Sequence, residues 1–262
     1  MINTDKYIVD PEDPRYQSRV AEFHKSFATT GVCVLDDFVK PELIAEAINN
    51  AKGKEQEAYY NLEKSNPYLE PVDTSLPKDD PRGMEGITTL KVIANDEIPE
   101  DTPLRKFYNE PHLTSFIRDI VGFANLYQYE CPLGSLNMAI MNEGDKVRWH
   151  FDISDFVVTL ALQNPEDGGH FEYVHNLRQP GKQNHHGVRK VLEGDRTEVQ
   201  RLNAKPGTLV IFQGINTLHR VSPIKGTKQR INALLGFSPE PGADSSPFVK
   251  KMRYGRTQPR TM

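Results

Sequence analysis

No stretch of this 262-residue chain approaches the roughly 18 consecutive apolar residues of a membrane span. The first twenty residues, MINTDKYIVDPEDPRYQSRV, also lack the short apolar core of a secretory signal, so the expected location is cytoplasmic. Positive charge is not in excess: 32 Lys+Arg stand against 36 Asp+Glu, for a net charge of −4. The basic footprint of a protein that binds a nucleic acid polymer is therefore missing. Cysteine is scarce. Cys33 and Cys131 could form at most one bridge, and their spacing fits neither a CxxC redox site nor a zinc knuckle. Both are read as reduced thiols packed as small apolar groups. The chain also lacks internal repeats, heptads and low-complexity tracts, and its length allows one large domain or two small ones.

What is present changes character along the chain. The first third reads mainly as helix. Val20, Phe23 and Phe27 form one apolar stripe on a helix that stops at Gly31, GVCVLDDF reads as a strand, and Pro41 opens a second helix carrying Leu43, Ile44, Ala47, Ile48 and Ala51. The segment NPYLEPVDTSLPKDDPRGMEG holds four prolines and reads as a long loop, of the length often used for lids. ITTLKVIA reads as a strand, and a third helix follows Pro111 and ends before Gly122.

After Asn125 the pattern becomes short strands separated by Gly, Pro, Asn and Asp: NLYQYE, SLNMAIMN, KVRWHFD, FVVTLALQ, HFEYVHNL, GTLVIFQG, HRVSPI and RINALLGF. Strands in such a run, with almost no helix between them, suggest an antiparallel jelly-roll sandwich or barrel braced on one sheet by the preceding helices. The insert NLRQPGKQNHHGVRKVLEGDRTEVQ breaks the rhythm, can hold a helical turn or two, and is expected over the sheet mouth. The tail SSPFVKKMRYGRTQPRTM is basic and turn-rich, as a surface strand or flexible end would be.

The chemistry concentrates in RWHFD and TLHRV. On a strand, residues two apart face one side, so His150 and Asp152 can reach a common point while Phe151 points away. A later strand crossing opposite would bring His219 to the same point. Two histidines and one carboxylate on one face hold ferrous iron and leave the opposite positions open. HxD alone is a weak signal, but three features accompany it. Arg230 lies eleven residues after His219 in QRINALLGF. A forked guanidinium buried there needs a carboxylate, either a protein acid or the distal carboxylate of 2-oxoglutarate. EDGGHFEYV sets two glycines where backbone turns tightly or a ligand comes close. KPGTLVIFQG feeds a short apolar strand just before His219.

In their order, His150, Asp152, GGHFEYV, PGTLVIF, His219 and Arg230 make the chain resemble the iron(II)/2-oxoglutarate-dependent oxygenases over about residues 125 to 240. RWHFDISDFVVTLALQNPEDGGHFEYVHNLR, HHGVRKVLEGD and LHRVSPIKG further resemble the branch of free-amino-acid halogenases and their hydroxylase relatives. The resemblance implies a single domain over 1–262 with a double-stranded β-helix (jelly-roll, cupin-like) core. Residues 1–124 would give helical support with extra strands, 125–240 the core and 241–262 a C-terminal tail. It implies Fe(II), 2-oxoglutarate and O2 as cofactor and co-substrates, with His150, Asp152 and His219 on the metal and Arg230 and Thr159 on 2-oxoglutarate. The halogenases of that branch carry Gly where this chain has Asp152. Hydroxylation of an unactivated C–H bond of a free amino acid or similar small polar metabolite is therefore expected, with succinate and CO2 as co-products.

Substrate contacts are sought among Arg148, Trp149, Asn137, His170, Tyr173 and Arg82, although strand alternation sends half of any such set outward. His175, His185 and His186 read as solvated loop histidines. The expected partner is a small molecule, with no nucleic acid polymer and no membrane, and a homodimer is left open. The same iron chemistry giving desaturation or cyclisation, or acting on a nucleotide or peptide, is the alternative. A non-catalytic cupin-like binding protein is the alternative of another class.

Overall fold

A computed structural model describes residues 1–260; Thr261 and Met262, the last two residues of the tail, lie outside the described residues. The N-terminal part runs α1 (Tyr16–Thr30), β1 (Val32–Leu35), α2 (Pro41–Lys54), β2 (Tyr59–Ser65), β3 (Gly86–Ile93), α3 (Pro103–Tyr108) and α4 (Leu113–Val121). Then come β4 (Tyr127–Gln128), β5 (Leu136–Met141), β6 (Val147–His150), β7 (Val157–Gln163), β8 (Asp167–Gly168), β9 (Phe171–Val174) and α5 (His185–Leu192). The chain ends with β10 (Gln200–Leu202), β11 (Leu209–Phe212), β12 (Leu218–Val221), β13 (Ile224–Lys225), β14 (Arg230–Leu235), β15 (Phe237–Ser238) and α6 (Pro247–Tyr254).

Two antiparallel sheets face each other: a large one in the order β1-β11-β7-β14-β5-β3-β2 and a small one in the order β10-β9-β12-β6. This is the helix-braced jelly-roll that the run of short strands leads one to expect. Alternation divides the large sheet cleanly. Leu136, Met138 and Ile140 of β5, Val158, Leu160 and Leu162 of β7, and Ile231, Ala233 and Leu235 of β14 join one core with α1 to α4. Phe107, Phe116, Ile117 and Ile120 are fully buried on the helical side, each worth roughly 1.5–3 kcal/mol of transfer free energy. The intervening residues, among them Asn137, Thr159, Arg230 and Asn232, face the small sheet.

Three features differ from the sequence expectation. Tyr59–Ser65, in the third read as mainly helical, is an edge strand paired along its length with β3. Pro103–Tyr108 is a helix capped by the Thr102 side chain, too short to show a period. The tail is neither strand nor loose end: Pro247–Tyr254 is a helix capped by Ser246, and Arg256 grips Asp96 with two nitrogens. The insert does contain a helix, α5, which packs with Trp149, Phe151, Val174 and Leu218 on the outer face of the small sheet. Cys33 and Cys131 are buried, free thiols, and no helix among the described residues is long and apolar enough to cross a membrane.

Candidate metal centre

Among the described residues, one group of metal-capable side chains converges: His150, Asp152 and His219 offer ligand atoms that all lie within 4.8 Å of one another. His150 closes β6 and pairs directly with His219 on β12. That pairing needs a β-bulge, because Val147 also pairs with Val221, leaving Arg148 and Trp149 on β6 opposite Arg220 alone. Asp152 lies just past the strand, where its N–H donates to the Gly214 carbonyl (3.1 Å) and keeps the carboxylate on the histidines' side.

Orientation is fixed from behind. His150 Nδ1 donates to the Arg148 carbonyl and His219 Nδ1 to the Thr217 carbonyl, both at 2.9 Å. The hydrogen bonds assign the proton to Nδ1 in each ring and leave both Nε2 lone pairs free to face Asp152, 3.4 Å from Oδ1 and Oδ2 respectively. Burial pushes the Asp152 carboxyl up, but the His219 and His150 imidazoles outweigh it and hold the group at about 2. His219 is drawn down to about 4, chiefly by burial. Asp152 and His219 are thus held in the forms that can bind a metal. Asp152 Oδ2 is buried with no hydrogen-bond partner, an arrangement that costs free energy unless a cation completes it. The donor set fits a divalent transition metal of the two-histidine, one-carboxylate kind.

Arg230 stands at the start of β14 on the same interior face. Among the described residues its guanidinium has one hydrogen-bond contact, with the Met141 thioether at 3.8 Å from Nη1, and no acid pairs with it. It is half-buried, and desolvation draws it down to about 10. Gly169 makes room for it: with φ at +60°, a Cβ there would approach Arg230 Cδ at 3.1 Å and the Ile224 and Pro165 side chains at 2.8 Å.

Of the remaining sequence candidates, Thr159 and Asn137 face the interior, each paired with Leu234 of β14. Tyr173 also faces inward, but its hydroxyl is given to Gln200 and its ring packs with Phe212 and Val32. Four expectations are corrected, those for Trp149, Arg148, His170 and His175. Trp149 lies on the outer face with Phe151, between the Arg196 and Arg220 guanidinia, because alternation sends the strand neighbour of His150 to the opposite side. Arg148 is committed to Glu63 (2.5 Å) and to the Thr88 hydroxyl (2.7 Å) at the junction with β2 and β3. His170 stands outside, 3.8 Å from Asp167. Arg82 is at the rim, paired through two nitrogens with Asp80. His175 is not a solvated loop histidine: it is half-buried against Thr217, and burial lowers its pKa.

Two residues escaped sequence reading. Asn232, two positions after Arg230, is buried on the same interior face with Oδ1 unpartnered. It sits between Ala139 and Ala161, whose small side chains leave space before it. A lone polar residue in RINALL at a spacing of two was the available signal. Arg178 of the insert gave none. Its Nε donates to the Ile215 carbonyl (2.6 Å), Nη2 to the Asp152 carbonyl (3.3 Å), and its guanidinium lies 4.3 Å from the Phe151 ring centroid. Tyr68 of the Pro-rich loop stacks on the same Phe151 ring. An ion pair between Arg189 and Asp79 ties the insert to that loop. The two segments therefore clasp each other behind the carboxylate ligand.

The comparisons with known proteins agree with this geometry. The family model described as Halogenase D matches residues 16–246. No curated protein matches the chain. Among solved structures, the non-heme alpha ketoglutarate dependent epimerase SnoN from nogalamycin biosynthesis is similar at 12% identity and a TM-score of 0.57, with 94% of this chain and 96% of that one covered. A 2OG-Fe(II) oxygenase family oxidoreductase from Burkholderia pseudomallei is similar at 14% identity and a TM-score of 0.53, covering 86% and 92%. HygX from Streptomyces hygroscopicus, solved with nickel and 2-oxoglutarate, is similar at 13% identity and a TM-score of 0.53, covering 83% and 86%. The chain belongs to the Halogenase D family, and its fold is that of the 2OG-Fe(II) oxygenases.

Proposed function

We propose that this Halogenase D family member is an iron(II)- and 2-oxoglutarate-dependent oxygenase that hydroxylates an unactivated C–H bond of a free amino acid or similar small polar metabolite. The observation that carries this reading is the Asp152 carboxylate, whose Oδ2 is buried and has no hydrogen-bond partner at the point where two oriented imidazoles meet. In the related halogenases that position is Gly. With the carboxylate present, a protein oxygen takes the place that a halide would need.

Iron in this cradle supplies the redox chemistry, coupling oxidative decarboxylation of 2-oxoglutarate to succinate and CO2 with insertion of the second O2 atom into the substrate C–H bond. The chain holds the metal through His150, Asp152 and His219. Arg230 receives the distal carboxylate of 2-oxoglutarate, which answers its missing counter-ion. Thr159 and Asn232, on the same face, offer a hydroxyl and an amide to the rest of that molecule. The interior wall excludes water on one side, where Phe171 and Phe212 pack against the His219 ring. The chain acts as one domain: residues 1–124 supply the bracing helices and three strands of the large sheet, 125–240 form the rest of both sheets, and 241–260 dock against them.

Succinate formation with Fe(II), 2-oxoglutarate and an amino-acid panel, with and without chloride, tests the assignment. Substrate-stimulated succinate and a product heavier by one oxygen support it. A chlorinated product, or one lighter by two hydrogens, replaces hydroxylation with halogenation or desaturation on the same centre. A metal-loaded protein that turns over none of the panel defeats the small-metabolite reading.

A further inference from the structure

Gly214 occupies the turn between β11 and β12, and its backbone does not call for glycine: its φ lies outside the left-handed range that eleven other glycines of the chain adopt. The reason for glycine is found across the turn. A Cβ built on Gly214 would overlap Asp152 Oδ2 outright and stand 2.5 Å from its Cγ and 2.8 Å from its Cβ. All three of its nearest neighbours belong to Asp152. The same residue accepts the Asp152 N–H through its carbonyl at 3.1 Å. It therefore grips the backbone of the ligand residue and leaves the volume that the carboxylate fills.

We propose that Gly214 is the positioning residue that seats the Asp152 carboxylate, and so decides whether the centre has two protein ligands or three. This rests on the metal-centre reading above. A methyl group at this position meets the rotatable carboxylate of Asp152 and also its Cβ, at 2.8 Å, which rotation does not move, so the fold yields by turning Asp152 and shifting it out of the ligand set. His150 and His219 sit on a ladder that Gly214 does not touch and keep their places. The effect of adding a side chain to Gly214 must then vanish once Asp152 has no side chain to displace.

A double-mutant cycle reads this directly. Co(II) is titrated by its visible absorption into the metal-free parent, Gly214→Ala, Asp152→Gly and the double variant, and the thermal midpoint of each metal-free protein is recorded. Expected are a loss of Co(II) affinity of about 10–100-fold in Gly214→Ala, a comparable loss in Asp152→Gly, and no further loss in the double variant. The double variant should also melt with Asp152→Gly. Parent-like Co(II) binding by Gly214→Ala overturns the proposal, as does an undiminished effect of the Gly214→Ala substitution in the Asp152→Gly background. If Gly214→Ala does not fold, a folded double variant still supports the proposal, because the obstacle is then the Asp152 side chain, and an unfolded one overturns it. A parent that binds no Co(II) defeats the metal-centre reading and this proposal together, whereas a binding parent with a neutral Gly214→Ala defeats only this one.

Discussion

Arg230 faces Met141 across the β14–β5 ladder, and the thioether sulfur, 3.8 Å from Nη1, is the one partner of the guanidinium among the described residues. A permanent charge set against a sulfur is poorly compensated, which makes it a site waiting for an anion. Arg230→Met should raise the KM for 2-oxoglutarate by tenfold or more. The same change removes an uncompensated charge, so the metal-free protein should gain about 1 kcal/mol, or about 2–4 °C in Tm. Steady-state kinetics and thermal unfolding check the pair. An unchanged KM would remove Arg230 from co-substrate binding.

Arg178 secures the loop behind the metal ligands through bonds to the Ile215 and Asp152 carbonyls. Arg178→Met should weaken divalent metal binding by about 10-fold, the range usual for groups that orient ligands. Arg178→Lys should not restore it, because an ammonium cannot span two carbonyls as the planar fork does. Calorimetric titration with Ni(II) checks both variants.

The Arg148–Glu63 pair holds β6 against the edge strand β2, with Arg148 only 4% exposed. Glu63→Gln leaves that guanidinium charged, buried and without a counter-ion, and should cost about 3 kcal/mol in chemical denaturation. Metal affinity per folded molecule should be unchanged. A larger effect on affinity than on stability would return Arg148 to the site.

Burial pushes the Cys33 thiol up to about 12. The direction is that of an acid held in its neutral form, so at pH 8 on the order of one molecule in 10⁴ carries the reactive thiolate. Maleimide labelling at pH 8 should leave Cys33 unmodified in the native protein and complete only in denaturant. Native labelling at the denatured rate would show that the strand β1 opens.

Much of the fold is legible in local signals. The stops at Gly31 and Gly122, the Pro41 helix start and the run of strands after Asn125 are set by backbone chemistry and by side-chain period. The period of two also put His150 and Asp152 on one side and Thr159 with the interior. It also sends Trp149 outward with Phe151, but it does not say which partner a long side chain finds: Arg148 pairs with Glu63 of the edge strand β2, a contact that only tertiary pairing supplies. The strand Tyr59–Ser65 and the tail helix went unread because each is stabilised by a distant surface: β3 for one, the Asp96 and β2 region for the other.

Residue type and short-range spacing were enough to indicate the run of strands, three candidate ligands and one arginine near them. Which groups meet was settled only by the closing of the two sheets. That closure left Arg230 without an acid, buried Asn232 between two alanines and brought Arg178 from the insert to the back of the ligand loop. It also pressed Gly214 against Asp152. These contacts join residues far apart in the chain, and their distances are fixed only when the sheets pack on each other and exclude everything that does not fit.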